Sequence, residues 1–341
     1  MEDVTDMFTV SLRKAVKRAA MAAVGLIALA GTAHAQVLTG AGATFPAPLY
    51  QKWFQEYSQQ HGVRINYQAI GSGGGIKQIT AHAVDFGASD APMSAAELAL
   101  APGIVHIPTV AGAVVIAYNV PGILAGIHLT GPVIADIFQG KIANWSDPRI
   151  AKLNPGVKFP SLAISTFHRS DGSGTTNIFT TYMSQVSGDW KDTVGAGKSV
   201  KWPKGLGGKG NPGVAALIKQ NDGGIGYIEL AYAVQNSIFY AAVQNAKGKF
   251  IYPSVASTTA AAEGVTLPPD FRKVITDTTA PTGYPITGFT FLLVYRNSSP
   301  ALKGFLNWAL TTGQHDASGL LYAPLPATVQ KRALAAVASL K

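Results

Sequence analysis

From Ile104 to Tyr118 the chain is a nearly continuous apolar run rich in β-branched residues, broken by the small pair Ala111-Gly112. A strand of that composition has no polar face to show to water, so the run reads as buried parallel strands covered on both sides. Gly288 to Tyr295, Gly-Phe-Thr-Phe-Leu-Leu-Val-Tyr, reads as another buried strand, and Val37-Leu38-Thr39 and Val63 to Ile70 as further strands. Between them the apolar period changes. Leu49, Trp53, Phe54 and Tyr57 share one helical face, with Pro46 and Pro48 compatible with the first turn. Ile76 and Ile79 start a second helical pattern, and Ala301 to Leu310 and Val329 to Leu340 supply two more. Strands alternating with helices predict an α/β fold. With 341 residues, 47% hydrophobic and 13% charged, the chain is globular and long enough for about two domains. Pro203 to Gly213 reads as a loop, Ser254 to Gly264 as a small-residue surface segment, and the tryptophans as core.

The N-terminus has a different logic. Arg13, Lys14, Lys17 and Arg18 precede an uncharged run from Ala19 to Ala30, and Ala33-His34-Ala35 offers small residues where a signal peptidase reads. This predicts a secretory signal peptide over residues 1–35 and a mature chain starting at Gln36. The run is shorter than the roughly 18 to 20 residues a bilayer span requires. Cysteine is absent, so an exported form has no disulfide, no thiol metal ligand and no site for the lipid of a bacterial lipoprotein. The formal charge of +9 suits an anionic ligand. Its Lys and Arg residues are scattered outside the leader, which argues against nucleic acid.

Three short segments place a hydroxyl residue where an extended run gives way to a helical one: Ala43-Thr44-Phe45, Gly71-Ser72-Gly73-Gly74-Gly75 and Asp171-Gly172-Ser173-Gly174-Thr175. A helix start has N–H groups without partners and the positive end of the macrodipole, and the hydroxyls add donors. Arg169 lies just before the third segment, and Asp90 ends the run Val84 to Asp90. An arginine among such donors binds a phosphate-like ion. A carboxylate among them makes sense only if that ion carries a proton. Each residue also has a plainer reading: Ser72 and Ser173 as N-caps, Asp90 as a cap of the next turn, Arg169 with Asp171 as a surface ion pair.

The segments Leu38 to Pro46, Val84 to Pro92, Arg169 to Thr175 and Lys201-Trp202-Pro203 through Gly205 to Gly210 together give a family likeness. From about Leu38 to the C-terminus the chain resembles the periplasmic phosphate-binding proteins of bacterial high-affinity phosphate ABC transporters. The resemblance implies an α/β, two-lobed periplasmic-binding-protein (venus-flytrap) fold, type II-like, with one phosphate in the cleft between lobes. Lobe I would comprise 36–118 plus 288–341 and lobe II 119–287, with crossings near Tyr118-Asn119 and Gly283 to Gly288. The ligands it implies are Thr44, Phe45 through its backbone N–H, Ser72, Asp90, Arg169, Ser173, Gly174 through its backbone N–H, and Thr175. Asp171 matches the acid that pairs with the site arginine. Gly73 departs from the family pattern, where many relatives carry serine. The partners implied are inorganic phosphate, with arsenate as an analogue, and the permease and ATPase subunits of the transporter; the implied state is a monomeric, periplasmic, non-lipidated binder without cofactor or metal.

For catalysis the sequence offers little. His61, His82, His106, His128, His168 and His315 lack HExxH-type spacing, and no base is placed beside Ser72 or Ser173. His168 neighbours Arg169 on a strand and should face away from the anion. Gly195-Ala196-Gly197-Lys198-Ser199 imitates a Walker A tail but has Asp192 where the motif needs glycine. A secreted phosphatase or adhesin on the same fold is the alternative reading.

Overall fold

In the computed structural model, which describes residues 36–124 and 126–341, the apolar run from Ile104 is one uninterrupted strand. The proposed signal peptide lies outside the described residues. The strands are β1 (Val37–Gly42), β2 (Arg64–Ala69), β3 (Phe86–Ser89), β4 (Ile104–Asn119), β5 (His128–Leu129), β6 (Ser165–Arg169), β7 (Leu206–Gly208), β8 (Gly224–Glu229), β9 (Phe239–Tyr240), β10 (Ala242–Gln244), β11 (Phe250–Ile251) and β12 (Thr287–Tyr295). Eight form a sheet in the order β2-β1-β3-β12-β4-β8-β6-β7, to which β9 adds on β4; β11-β10-β5 form a small second sheet.

Strand β4 changes partner along its length. Ile104 to Ala113 face β12, whereas Val114 to Asn119 face β8, both antiparallel. This corrects the expectation of parallel strands interrupted at Ala111-Gly112. The apolar composition reports burial of both faces, and burial does not depend on strand direction; its interior is wholly buried. The parallel pairings occur farther out, β1 with β2 and β3 on one side, β6 with β7 and β8 on the other.

The helices pack as their periodicities require. Ala47–His61 buries Leu49, Trp53, Phe54 and Tyr57, with Pro46 at its N-cap and Pro48 in its first turn. Phe54 meets Tyr67, Phe86 and Phe305, knitting this helix to β2, β3 and the helix Pro300–Leu310. Near β6 and β8, Phe179, Trp202 and Tyr227 stack together, with Trp190 edge-on to the first two. Burial of aromatic side chains of this size is the largest apolar contribution available to a chain without disulfides.

Two segments are more ordered than their composition suggests. Ser254 to Gly264 is not a surface segment: Val255–Glu263 is a helix, capped by Ser254, that buries Ser257, Thr258, Ala261 and Ala262. Small side chains let it lie close to the sheet, which low hydrophobicity alone conceals. Within Pro203 to Gly213 the chain forms β7 and starts the helix Gly210–Gln220. Of the tryptophans, Trp53, Trp145, Trp190 and Trp308 are buried and Trp202 is half-buried.

The sheet thereby brings the C-terminal ends of parallel strands from both sides to one place. After β1 comes Thr44, after β2 Ser72, after β3 Asp90; β6 ends at Arg169, the helix after β7 starts with Gly210 and Asn211, and β8 ends at Glu229. Crevices outside the carboxyl ends of such strands are where open α/β sheets bind ligands.

Candidate functional site

Arg169 enters from the end of β6 with its side chain 1% exposed. Its Nε and Nη2 donate to Asp171 Oδ1 and Oδ2 at 2.7 and 2.5 Å, and its Nη1 to Thr175 Oγ1 at 3.2 Å. One edge of the guanidinium is thus fixed, and Nη1 and Nη2, each having spent one hydrogen, keep one apiece for another acceptor. This is a buried, doubly bonded pair, unlike a surface ion pair. Burial by itself would raise the carboxyl pKa of Asp171, but the bonds and charge of Arg169, with the N–H of Gly210 at 3.0 Å, hold it below the ordinary value. Gly71 lies against this pair. A Cβ there would be 2.1 Å from Asp171 Oδ2, and its φ of +90° favours glycine.

Asp90 is the acceptor of the cluster. Its Oδ1 receives the hydroxyl of Thr290 at 2.9 Å, and its Oδ2 lies 3.5 Å from Ser72 Oγ. Burial pushes its pKa up to about 7, against the pull of the Thr290 bond, the charge of Arg169 and the Ser72 bond. It caps no turn: the next helix, Ala95–Leu100, is capped by Ser94.

The two serines differ. Ser173 is an N-cap, its oxygen accepting from Thr176 N at 3.0 Å. Ser72 is already the first helical residue, and its oxygen accepts from the N–H groups of Asp90 and Gly174, at 3.2 and 3.0 Å. Gly174 has no room for a side chain, since a Cβ would lie 2.6 Å from both Asp90 Oδ2 and Ser72 Oγ. The main-chain N–H groups of Phe45, Ser72 and Thr175 take no hydrogen-bond acceptor among the described residues. Those of Ser72 and Thr175 are donors that helix starts leave over, and that of Phe45 lies just before the N-cap Pro46. His168 stacks on Trp202 at 4.6 Å, on the other face of β6 from buried Arg169.

Hydrogen bonds join Ser72, Asp90 and Gly174 in one group and, in a second, Arg169 to Thr175 directly and Thr44 to Thr175 through one bridging residue, while Ser173 bonds to neither group and adjoins Gly174 only along the chain. That bridge is Asn211, which the sequence reading did not single out although it follows directly on the Gly205 to Gly210 segment. Its N and Nδ2 donate to Thr44 Oγ1 at 3.1 and 3.0 Å, and its Nδ2 also donates to Thr175 Oγ1 at 3.2 Å. Its Oδ1 accepts from Glu229 N at 2.9 Å. Glu229, Tyr322 and Thr290 were missed as well. Glu229 Oε2 accepts from Ala231 N and lies 3.1 Å from the hydroxyl of Tyr322, which donates to Phe45 O at 2.7 Å. Burial holds the Glu229 carboxyl well above its ordinary pKa. Among the described residues no group of three or more His, Cys, Asp or Glu could hold a metal ion, and no helix is long and apolar enough to cross a membrane.

A family profile described as PBP superfamily domain matches residues 29–312. Phosphate-binding protein PstS of Pasteurella multocida is 46% identical over 321 residues, covering 92% of this chain and 93% of its own. Its counterpart in Xylella fastidiosa is 46% identical over 303 residues, covering 86% and 83%. A high-affinity periplasmic phosphate-binding protein, PfluDING, solved with phosphate at pH 8.5, superposes with a TM-score of 0.70 at 21% identity, covering 88% of this chain and 93% of its own. The periplasmic-binding-protein fold is common to all of these. By its identity to these relatives over most of its length and by the superfamily profile it matches, this chain belongs to the PstS phosphate-binding protein family of the PBP superfamily.

Proposed function

We propose that this protein binds inorganic phosphate with high affinity in the periplasm and delivers it to the permease and ATPase subunits of an ABC importer. The observation that carries the reading is the buried carboxylate of Asp90, placed beside Ser72 and Thr290 and within reach of the charge of Arg169. Phosphate near neutral pH retains a proton that a carboxylate can accept, and sulfate does not. The ligands are Thr44, Phe45, Ser72, Asp90, Arg169, Ser173, Gly174 and Thr175, with Asp171 orienting Arg169; the N–H of Gly174, which donates to Ser72 Oγ, would share its hydrogen with the anion. Arsenate, of the same shape and protonation, is an alternative cargo.

The reading includes two lobes, 36–118 with 288–341 and 119–287, that close on the anion as a monomer. The partner change along β4 and the bonds from Asn211 to Thr44 and from Gly174 to Ser72 support it. It also includes export by the cleavable leader 1–35 and no lipid anchor, since the chain has no cysteine. The role in this reading is binding: among the described residues the hydroxyls of the cluster bond to backbone N–H groups, Arg169, Asn211 and Asp90, and to no histidine or lysine.

Isothermal titration of the anion-free protein with phosphate, arsenate and sulfate tests the proposal. Tight binding of phosphate with weak or absent binding of sulfate is expected. Equal binding of sulfate would overturn the assignment of Asp90, and release of nitrophenol from its phosphate ester would move the protein to the phosphatase reading.

A further inference from the structure

We infer that Asn211 is a positioning residue that makes the hydroxyls of Thr44 and Thr175 donors only. A hydroxyl offers one hydrogen and two lone pairs, and its hydrogen turns to whichever acceptor its neighbours leave open. At Thr44 both lone pairs are taken, by the N–H and the amide Nδ2 of Asn211 at 3.1 and 3.0 Å. At Thr175 both are taken as well, by Arg169 Nη1 and by the same Nδ2, each at 3.2 Å. The hydrogens of these two hydroxyls find no acceptor among the described residues.

The orientation of the amide is not free. Its oxygen faces the N–H of Glu229 at 2.9 Å, a group that can only donate, so the NH2 end must face the two threonines. One side chain, 0% exposed, thus reaches Thr44 after β1 and Thr175 after β6. At Ser72 the lone pairs are likewise taken, by the N–H groups of Asp90 and Gly174, but its hydrogen lies toward Asp90 Oδ2 at 3.5 Å. Asp90 is then an acceptor facing obligate donors at Thr44 and Thr175, and an anion must bring acceptor oxygens to both of those positions. Without Asn211 each threonine hydroxyl could turn inward and accept, and that selectivity would be lost.

This inference rests on the phosphate reading and deepens it. The test is a pair of double-mutant cycles on the full mature chain, titrated with inorganic phosphate, with melting to verify folding. Thr175→Val and Thr44→Val should each weaken wild-type binding about tenfold, and Asn211→Ala by roughly 10- to 100-fold. In the Asn211→Ala background each valine substitution should then cost less than about threefold. Asn211→Asp keeps the shape and the bond from Glu229 and serves if the alanine variant folds poorly. A merely structural asparagine would be rescued by it; here the new carboxylate draws both hydroxyl hydrogens, so binding stays weak and the valine substitutions cost almost nothing further. Charge repulsion alone would leave their full cost in place. Multiplicative losses in both backgrounds would overturn the inference. Absence of phosphate binding by the wild type would instead overturn the function itself.

Discussion

Replacing Asp90 by asparagine removes a charge with almost no change of shape, and the structure sets two opposite consequences. In the anion-free protein Asp90 is wholly buried and its pKa moves from 3.8 to about 7, mainly through burial. Holding it ionised therefore costs about 4 kcal/mol relative to water. Because the folded pKa lies above the unfolded one, the stability this group contributes is complete below about pH 4 and is lost as pH rises through about 7. Asparagine carries no such dependence. Melting of the two anion-free proteins should show the variant gaining on the wild type by up to about 4 kcal/mol between about pH 4 and pH 8. Binding should move the other way. Loss of a charge-assisted bond to the protonated oxygen removes about 1.5 to 3 kcal/mol, or roughly 10- to 150-fold in phosphate affinity. Sulfate loses no such bond and escapes a like charge, so the preference for phosphate should fall by at least that factor in competition titrations at fixed ionic strength. A stability difference that is flat with pH, together with an unchanged preference, would show that the proton is read elsewhere.

Arg169→Ala should weaken phosphate binding by roughly 10- to 150-fold and also destabilise the fold by about 3 to 5 kcal/mol, because Asp171 is left unpaired in a mostly buried position; titration and melting separate the two. Arg169→Lys should restore only part of the affinity, since an ammonium cannot hold Asp171 along one edge and an anion along another. Gly174→Ala should cost about tenfold or more in affinity, its methyl group meeting Asp90 and Ser72 at 2.6 Å. Phosphate should raise the melting temperature by mass action and reduce the radius of gyration in small-angle scattering; no change in either would contradict two lobes closing on the anion.

The fold class and most elements were legible because periodicity is a local signal: Leu49, Trp53, Phe54 and Tyr57 declare their helix face without any neighbour. Strand direction was not, because β4 is apolar for the reason that both its faces are covered, which holds equally for parallel and antiparallel pairing. The helix Val255–Glu263 was hidden because its small side chains serve close approach and not hydrophobicity. In the site, residues whose chemistry is overt, Arg169 and Asp90, could be read directly. Asn211, Thr290 and Glu229 could not, because each acts through a partner far away in sequence: Thr290 reaches back to Asp90, and Asn211 to Thr44. An asparagine or a threonine in isolation announces neither.

The place of β12 has a consequence for the order in which the molecule can be completed. This strand is inserted between β3 and β4, although some 170 residues separate it from β4 in the chain. The part of the sheet built on β4, β8, β6 and β7 uses strands all present once Glu229 has emerged. The part built on β1, β2 and β3 cannot be joined to it until Thr287–Tyr295 arrives, and until then β3 and the first half of β4 present open edges. Loop closure over so long a distance is slow, and open edges invite association with other chains. A chain delivered N-terminus first thus keeps its Thr44, Ser72 and Asp90 segment apart from Arg169 until nearly its last residues. Substitutions that weaken β12 should reduce yield and raise aggregation well before they are felt in the affinity of molecules that have folded.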